Sequence, residues 1–284
     1  MDAGVLLKFY EAGERNFSGV DLQGANLSGV TLIGVDFRGA NLTGAQLSRA
    51  FLTGSNLSNA FLNWADLRYV KLSDGIIQDA DLTKANLQGA FLVKADLKGT
   101  KLSGSNLAHV NLRSADLQRA NLCGANLKGS NLRNANLFHS NLNWANLSES
   151  RLSGANLKGA FLHDVNLQGA YLNGLDLQGV NLSGINLSAA KLSGANLEGA
   201  NLSSSNLNAA SLKGVRLTGA NLTNANFSEA NLPKAHLEWS NLTQANFSDA
   251  NLHGVRLLGV CATGAQFTDA LLPPDSRRHL NLIT

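Results

Sequence analysis

Cysteine, proline and methionine are nearly missing from this chain of 284 residues, which holds 2, 3 and 1 of them respectively. Two cysteines cannot build the disulfide framework of a small secreted scaffold. Aromatic residues make up 6% and charged residues 15%, with a mean hydropathy of -0.05. No apolar run nears the ~20 residues of a membrane-spanning helix, so no span is expected. The opening Met1-Asp2-Ala3-Gly4 places an acid where an export leader carries positive charge, and its apolar run is only Val5-Leu6-Leu7. The expectation is therefore a cytoplasmic protein. A net charge of +3 fits neither a strongly acidic nucleic-acid mimic nor a histone-like polycation.

What the chain has in abundance is a repeat of five. With the large apolar residue as centre, centres fall every five residues from Phe17 to Phe267, making 51 pentapeptides without a slipped register. Leu fills 44 of them; the others are Phe17, Phe37, Phe227, Phe247, Phe267, Ile77 and Ala262. A small residue sits two before the centre, usually Ala, and Asn or Asp one before. Ser or Thr is common one after, and Gly two after.

Five residues advance a helix by about 140° beyond a full turn, which spirals the leucines around it and excludes an amphipathic helix. A continuous strand would throw successive centres onto opposite faces. Only a short extended piece followed by a bend in every unit keeps all centres on one side, with Gly, Asn and Ser supplying the turn conformations. The chain then coils around a leucine axis, centre and small residue inward and the other three outward.

Units such as Ala40-Asn41-Leu42-Thr43-Gly44, Ala85-Asn86-Leu87-Gln88-Gly89 and Ala195-Asn196-Leu197-Glu198-Gly199 resemble the A(D/N)LXX unit of the pentapeptide-repeat family, over residues 15 to 272. The resemblance implies an all-β fold, a right-handed quadrilateral parallel β-helix with four units per coil. The sequence supports four: positions 26, 46, 66 and on to 266 are Asn, Asp or Gln in 13 of 13 cases, whereas the series 31 to 271 is of that type in 4 of 13. About 13 coils at ~4.8 Å would give a rod of roughly 60 Å.

Such a coil needs caps. Asp2 to Ala12 is expected to form a short helix with Asp2 as N-cap, and Val5, Leu6, Phe9 and Tyr10 on a covering face. Residues 1–14 are thus an N-terminal cap and 15–272 the repeat region. Leu271-Leu272-Pro273-Pro274 breaks the pattern, and 273–284, with Leu280, Leu282 and Ile283, reads as a second cap or a homodimerisation tail.

Catalytic chemistry finds no support. Cys123 and Cys261 would lie about seven coils, ~34 Å, apart, beyond disulfide reach. His109, His139, His163, His236, His253 and His279 show no metal spacing. No apolar pocket or phosphate loop is indicated, so neither an enzyme nor a cofactor is expected.

Charge is distributed unevenly among the four faces. The face bearing positions 11, 13 and 14 of each coil carries Lys71, Lys94, Arg113, Arg133, Arg151, Lys191, Lys213 and Lys234 against Asp74 alone. Phe51, Phe91 and Tyr171 occupy its outward position, with Lys71 between the two phenylalanines, poised for cation–π contact with both. Phe61 and Phe161 are assigned to the neighbouring face, and Asp66, Arg68 and Lys128 to the opposite one. Arg113, Arg133 and Arg151 would stack on consecutive coils and repel one another unless a partner uses them. Arg216, His236 and Arg256 form a shorter ladder beside Glu238, read as a solvated pair network, and Trp64, Trp144 and Trp239 are read as covers over turns.

The family resemblance brings in quinolone-resistance proteins, which bind gyrase by imitating DNA with an acidic rod, and a heterocyst-signalling regulator of cyanobacteria. The DNA-mimic reading transfers poorly to a positive face. Two readings stay open for that face beside a plain solvated surface: a docking site for a protein partner, favoured here, and a nucleic-acid site, disfavoured because phosphate binding calls for a larger overall positive excess.

Overall fold

A computed structural model describes residues 1–274 and Ser276. The chain divides into two compact units, the first formed by Met1–Asn146 with Ala155–Phe161 and the second by Leu147–Gly154 with Leu162–Thr284. The expected C-terminal cap or dimerisation tail lies almost wholly outside the described residues.

Both units are built from one repeating event. Within each unit the residue before a centre forms a parallel bridge with its counterpart twenty residues on, as in Thr31↔Phe51↔Lys71↔Phe91 of the first unit and Arg151↔Tyr171↔Lys191↔Ser211 of the second. Around the leucine the backbone donates to the next coil and back to the previous one. In the repeat of Leu102, its N–H reaches the Asn121 carbonyl at 2.7 Å, the Gly104 N–H reaches Cys123 O at 2.9 Å, and the Asn106 N–H returns to Ala85 O at 3.0 Å. The bend closes on itself, with Ser105 N–H on Leu102 O at 3.1 Å. Four such repeats make a coil, so the register of twenty read from the sequence holds within each unit.

Every bend has positive φ at the residue two after the centre, the requirement of a type II turn. Gly supplies it most cheaply, but 26 non-Gly residues hold it too, including Trp64, Tyr69, His109 and Trp239 at φ between 58° and 61°. The Asn before the centre explains its own frequency. Its carboxamide accepts the N–H two residues on, as Asn26 does from Ser28 at 3.1 Å, and also stacks coil on coil, Asn106 Nδ2 to Asn86 Oδ1 at 3.1 Å and Asn126 to Asn106 at 3.2 Å. An Asx turn and an amide ladder thus use the same side chain.

Centres from Phe17 to Leu257 and most small residues are buried as expected, with Leu42, Leu137 and Leu222 wholly inaccessible, while Ala262 and Phe267 are half-buried. At five of the seven places where Ser replaces the small Ala, its hydroxyl donates to the carbonyl that opens the turn, as Ser105 to Leu102 at 2.6 Å and Ser240 to Leu237 at 2.7 Å; Ser55 reaches Leu32 O at 3.1 Å instead, and Ser130 Oγ has no partner. In the second unit one inward column is aromatic: Phe227, Phe247 and Phe267 stack with centroids 4.8 and 5.4 Å apart and planes within 7°.

Helix α1 runs Ala3–Glu11, and the Asp2 carboxylate caps it by accepting the Gly4 N–H at 2.7 Å. Its covering face is narrower than expected. Leu6 is buried and Tyr10 half-buried, whereas Val5 and Phe9 are exposed. Leu6 and Tyr10 form one i,i+4 stripe, Val5 and Phe9 another about 100° round the helix, and only the first meets the coil. Arg15, the one charge at a small position, escapes outward: its guanidinium lies 3.8 Å from the Tyr10 ring centroid and donates to Tyr10 O at 2.8 Å.

Candidate interaction face

The basic face is described in each unit by itself. In the first, it carries Phe51, Lys71, Phe91, Lys94, Arg113 and Arg133. Lys71 and Phe91 are bridged neighbours, and the ammonium rests 3.2 Å from the Phe91 ring centroid. Phe51, on its other side, receives no such contact, so the cation clasps one ring instead of lying between two. Phe51 is 44% and Phe91 38% exposed, and Ile33 on the same face 49%. Arg113 and Arg133 occupy the same turn position one coil apart. Their N–H groups are held by Asn111 and Asn131 Oδ1 at 3.2 and 3.3 Å, while the side chains are exposed.

In the second unit, Arg151, Tyr171, Lys191, Lys213 and Lys234 fall on five consecutive coils. Arg151 lies 5.9 Å from the Tyr171 ring centroid. The cations drift across the face, Arg151 and Lys191 standing at the bridge, Lys213 one after the centre, and Lys234 in the turn itself at φ 60°. Arg151 therefore does not share the turn position of Arg113 and Arg133, and the expected stack of three arginines reduces to that pair.

The ion pairs of Lys and Arg among the described residues lie off this face. Arg38 pairs with Asp36 at 2.6 Å, Arg68 with Asp66 at 2.7 Å, and Lys98 with both Asp96 and Asp116 at 3.4 and 3.3 Å. Arg216 Nε donates to Glu198 at 2.8 Å, and His236 and Arg256 both approach Glu238 at 3.7 Å. The Arg38 and Arg68 side-chain hydrogen bonds hold the Asp36 and Asp66 carboxyls below their ordinary range. Among the described residues, no cation of the basic face makes an ion pair. The pair network of Arg216, His236 and Arg256 is as the sequence suggested. The segregation of pairs was missed, though Asp-X-Arg and Asp-X-Lys spacings such as Asp36-Phe37-Arg38 signal it, because residues flanking an inward centre emerge on the same face.

Two face assignments need correction. Phe61 and Phe161 belong to the ladder Asn41↔Phe61↔Asp81 and to Asn141↔Phe161, ten residues out of phase with Phe51. In a four-sided coil ten residues is half a turn, so in the first unit these rings stand on the face opposite Phe51, 52% and 59% exposed. Conversely, Asp66 and Arg68 lie on the ladder of Asn26, five residues before that of Thr31, and Lys128 flanks the same ladder. Their face adjoins the basic one.

The tryptophans sit at turns with outward rings. Trp239 covers Gly259 of the next coil, where an added Cβ would come within 2.2 Å of the indole. Lys84 lies 4.5 Å from the Trp64 ring centroid. A cavity of about 370 Å³ in the first unit is lined by Ser28, Ser48, Arg49, Arg68 and Tyr69, off the basic face. Among the described residues no group of three His, Cys, Asp or Glu is placed to hold a metal ion, and no helix is long and apolar enough to cross a membrane.

A model of pentapeptide repeats matches in eight copies, over segments that begin at 16–54 and end at 220–259. Among solved structures, HetL, a pentapeptide repeat protein involved in heterocyst differentiation regulation in the cyanobacterium Nostoc, is 32% identical over 95% of this chain and 98% of its own, with a TM-score of 0.22. A pentapeptide repeat protein of the Arabidopsis thaliana thylakoid lumen is 34% identical over 38% of this chain and 76% of its own, with a TM-score of 0.37. The plasmid-mediated fluoroquinolone resistance protein QnrB1 is 19% identical over 82% and 89%, with a TM-score of 0.26. No curated protein matches this chain.

Proposed function

This chain belongs to the pentapeptide repeat family, and from that premise we propose that it is a rigid, non-catalytic scaffold for protein–protein interaction, with a regulatory role, that docks through its basic and aromatic face. The family is one of structural repeat scaffolds with a right-handed coil. The reading takes residues 1–14 as the N-terminal cap and 15–272 as a repeat region of about 13 coils, in a cytoplasmic protein. The residues proposed to bind are Phe51, Lys71, Phe91, Lys94, Arg113 and Arg133 in the first unit, and Arg151, Tyr171, Lys191 and Lys213 in the second.

One observation carries the reading. On the other faces Arg38, Arg68, Lys98, Arg216 and Arg256 meet carboxylates two or eighteen residues away, whereas this face gathers cations that no described residue neutralises, beside exposed rings. A surface serving solvation alone gains nothing from that segregation, since mixed charges solvate as well and repel less. A docking surface gains complementarity and steering.

The test is an asymmetry. Arg113→Gln with Arg133→Gln, and separately Phe51→Asn with Phe91→Asn, are compared with Arg38→Gln and Arg68→Gln for capture of partners from the native host. Loss through the first two sets and retention through the third is expected, and equal capture by all three would sink the proposal. Nucleic-acid binding, the second reading, would respond to the arginines and to salt but little to the phenylalanines.

A further inference from the structure

The second unit shows the segregation of charge in its purest form. Its basic face has Arg151, Lys191, Lys213 and Lys234 and, among the described residues, no carboxylate. One ladder away in the same unit Arg216 and Arg256 are both engaged, by Glu198 at 2.8 Å and Glu238 at 3.7 Å. The same fold therefore offers both arrangements side by side, and the contrast lies in the outward residues chosen.

We propose that this face of the second unit is the receptor for an extended acidic protein segment of about six residues. The inference rests on the scaffold reading above and adds to it the chemistry and length of what docks. The length comes from the coil geometry. Arg151↔Tyr171↔Lys191↔Ser211↔Asn231 is a continuous bridged ladder, and Lys213 and Lys234 flank its last two members. Its four coil steps at ~4.8 Å span about 19 Å, which six residues of extended chain at ~3.3 Å each cover. The cations pass diagonally from the bridge position at Lys191 to the turn at Lys234, so the segment crosses the coils at a slant. Lys234 stands in the turn beside Gly254, its backbone N–H donating to His253 O at 2.9 Å. Between the lysines, the Ser193 and Ser211 hydroxyls lie 3.2 Å apart and add hydrogen-bonding groups for carboxylates.

A carboxylate chain fits better than a nucleic acid. Single strands bind by stacking bases on open rings, and the ring on this face, Tyr171, already has the Arg151 guanidinium beside it. The first unit repeats the arrangement with Lys71 on Phe91. Lys191, Lys213 and Lys234 make no cation–π contact among the described residues and meet a carboxylate as compact point charges.

The test is fluorescence anisotropy on the full chain with three labelled probes, each twelve units long: an oligoglutamate, an oligoglutamine and an oligothymidylate, at about 50 and 200 mM salt, the range over which phosphate contacts weaken steeply. Lys191→Gln with Lys213→Gln is set against Arg216→Gln with Arg256→Gln, which changes net charge by the same amount, and circular dichroism checks that both remain folded. The oligoglutamate should bind and the oligoglutamine should not. The lysine pair should weaken oligoglutamate binding at least tenfold while the arginine pair changes it less than twofold. Among shorter oligoglutamates of four, six and eight residues, affinity should climb to six and then level. Equal loss from both pairs, no oligoglutamate binding at the lower salt, or tighter binding of the oligothymidylate would each overturn the proposal. If the oligoglutamate fails while partner capture still depends on the face, the scaffold reading stands and the acidic segment falls.

Discussion

Replacing Leu137 with Ala tests the inward column at its most constrained. Leu137 is 0% exposed and lies one coil after Leu117 and one before Leu157 on the same inner side. Three carbons leave, worth roughly 2.5 kcal/mol at ~0.8 each. The cavity term is added in proportion to how little the site can close. Here the flanking backbone is pinned coil to coil, Leu117 N–H on Asn136 O at 2.7 Å and Leu137 N–H on Asn156 O at 2.8 Å. Neither neighbour can move inward without breaking bonds that repeat every five residues, so the total should reach about 4 to 5 kcal/mol, the upper part of the range for buried leucines. Urea unfolding followed by circular dichroism reads it. With a slope of ~2 kcal/mol per M, the midpoint of the first unit's transition should fall by about 2 M. Leu132→Ala and Leu142→Ala, on the two flanking sides and as deeply buried, should behave alike. A loss below about 2 kcal/mol in all three would mean that the column relaxes freely and that coil-to-coil pinning does not set the cost.

Four other outcomes are expected. Ala125→Arg, at a position 1% exposed and without the outward route open to Arg15, should abolish soluble expression, and a folded Ala125→Arg protein would refute the argument. Gly259→Ala should cost about 2 kcal/mol or more, because φ is +70° and its Cβ would meet the Trp239 ring; in a Trp239→Ala background only the left-handed cost of about 1 kcal/mol should remain, and strict additivity would show that the ring does not lie there. Because Asp36 and Asp66 titrate below their ordinary value through Arg38 and Arg68, their contribution to stability is full above the unfolded aspartate range near ~3.9 and vanishes as pH falls through the lower folded values. The stability gap between the native protein and Arg38→Gln with Arg68→Gln should therefore narrow from about pH 5 to about pH 2, and a constant gap would count against it. Cys261, exposed and with its thiol lowered by the Thr243 hydroxyl 3.6 Å away, should be alkylated faster than the half-buried Cys123, and more slowly after Thr243→Val; equal rates would dismiss the effect.

The periodic part of the fold was legible because each repeat states the same constraint. One Leu proves little, but an unbroken register leaves a single geometry that keeps all centres inward, and the Asp2 cap is equally local. What escaped depends on phase and on side-chain choice. Phe61 looked adjacent to Phe51 because it is near in sequence, yet ten residues carry it halfway round the coil. Lys71 could have reached either ring, and only three-dimensional packing selects Phe91. Val5 and Phe9 read as covering residues because they are apolar, but a nine-residue helix turns just one stripe toward the coil. The face charge was countable from residue types alone. The absence of pairing on it among the described residues required knowing which flanking side chains meet across eighteen residues, as Arg216 meets Glu198.

The twenty-residue register also sets how such a chain can change length. Deleting one pentapeptide within a unit leaves every leucine inward and every turn intact, so the core scarcely registers the loss. Outside, each downstream side chain rotates a quarter turn against its upstream neighbours: lysines that shared a ladder with Tyr171 would find themselves beside asparagines, and a carboxylate paired across the deletion, as Glu198 is with Arg216, would part from its arginine, while Asp36 and Arg38 within one repeat stay together. Only four pentapeptides gained or lost together restore the pattern. Stability is therefore counted in fives and surface identity in twenties, which lets related chains keep one architecture while recombining their outer faces wholesale.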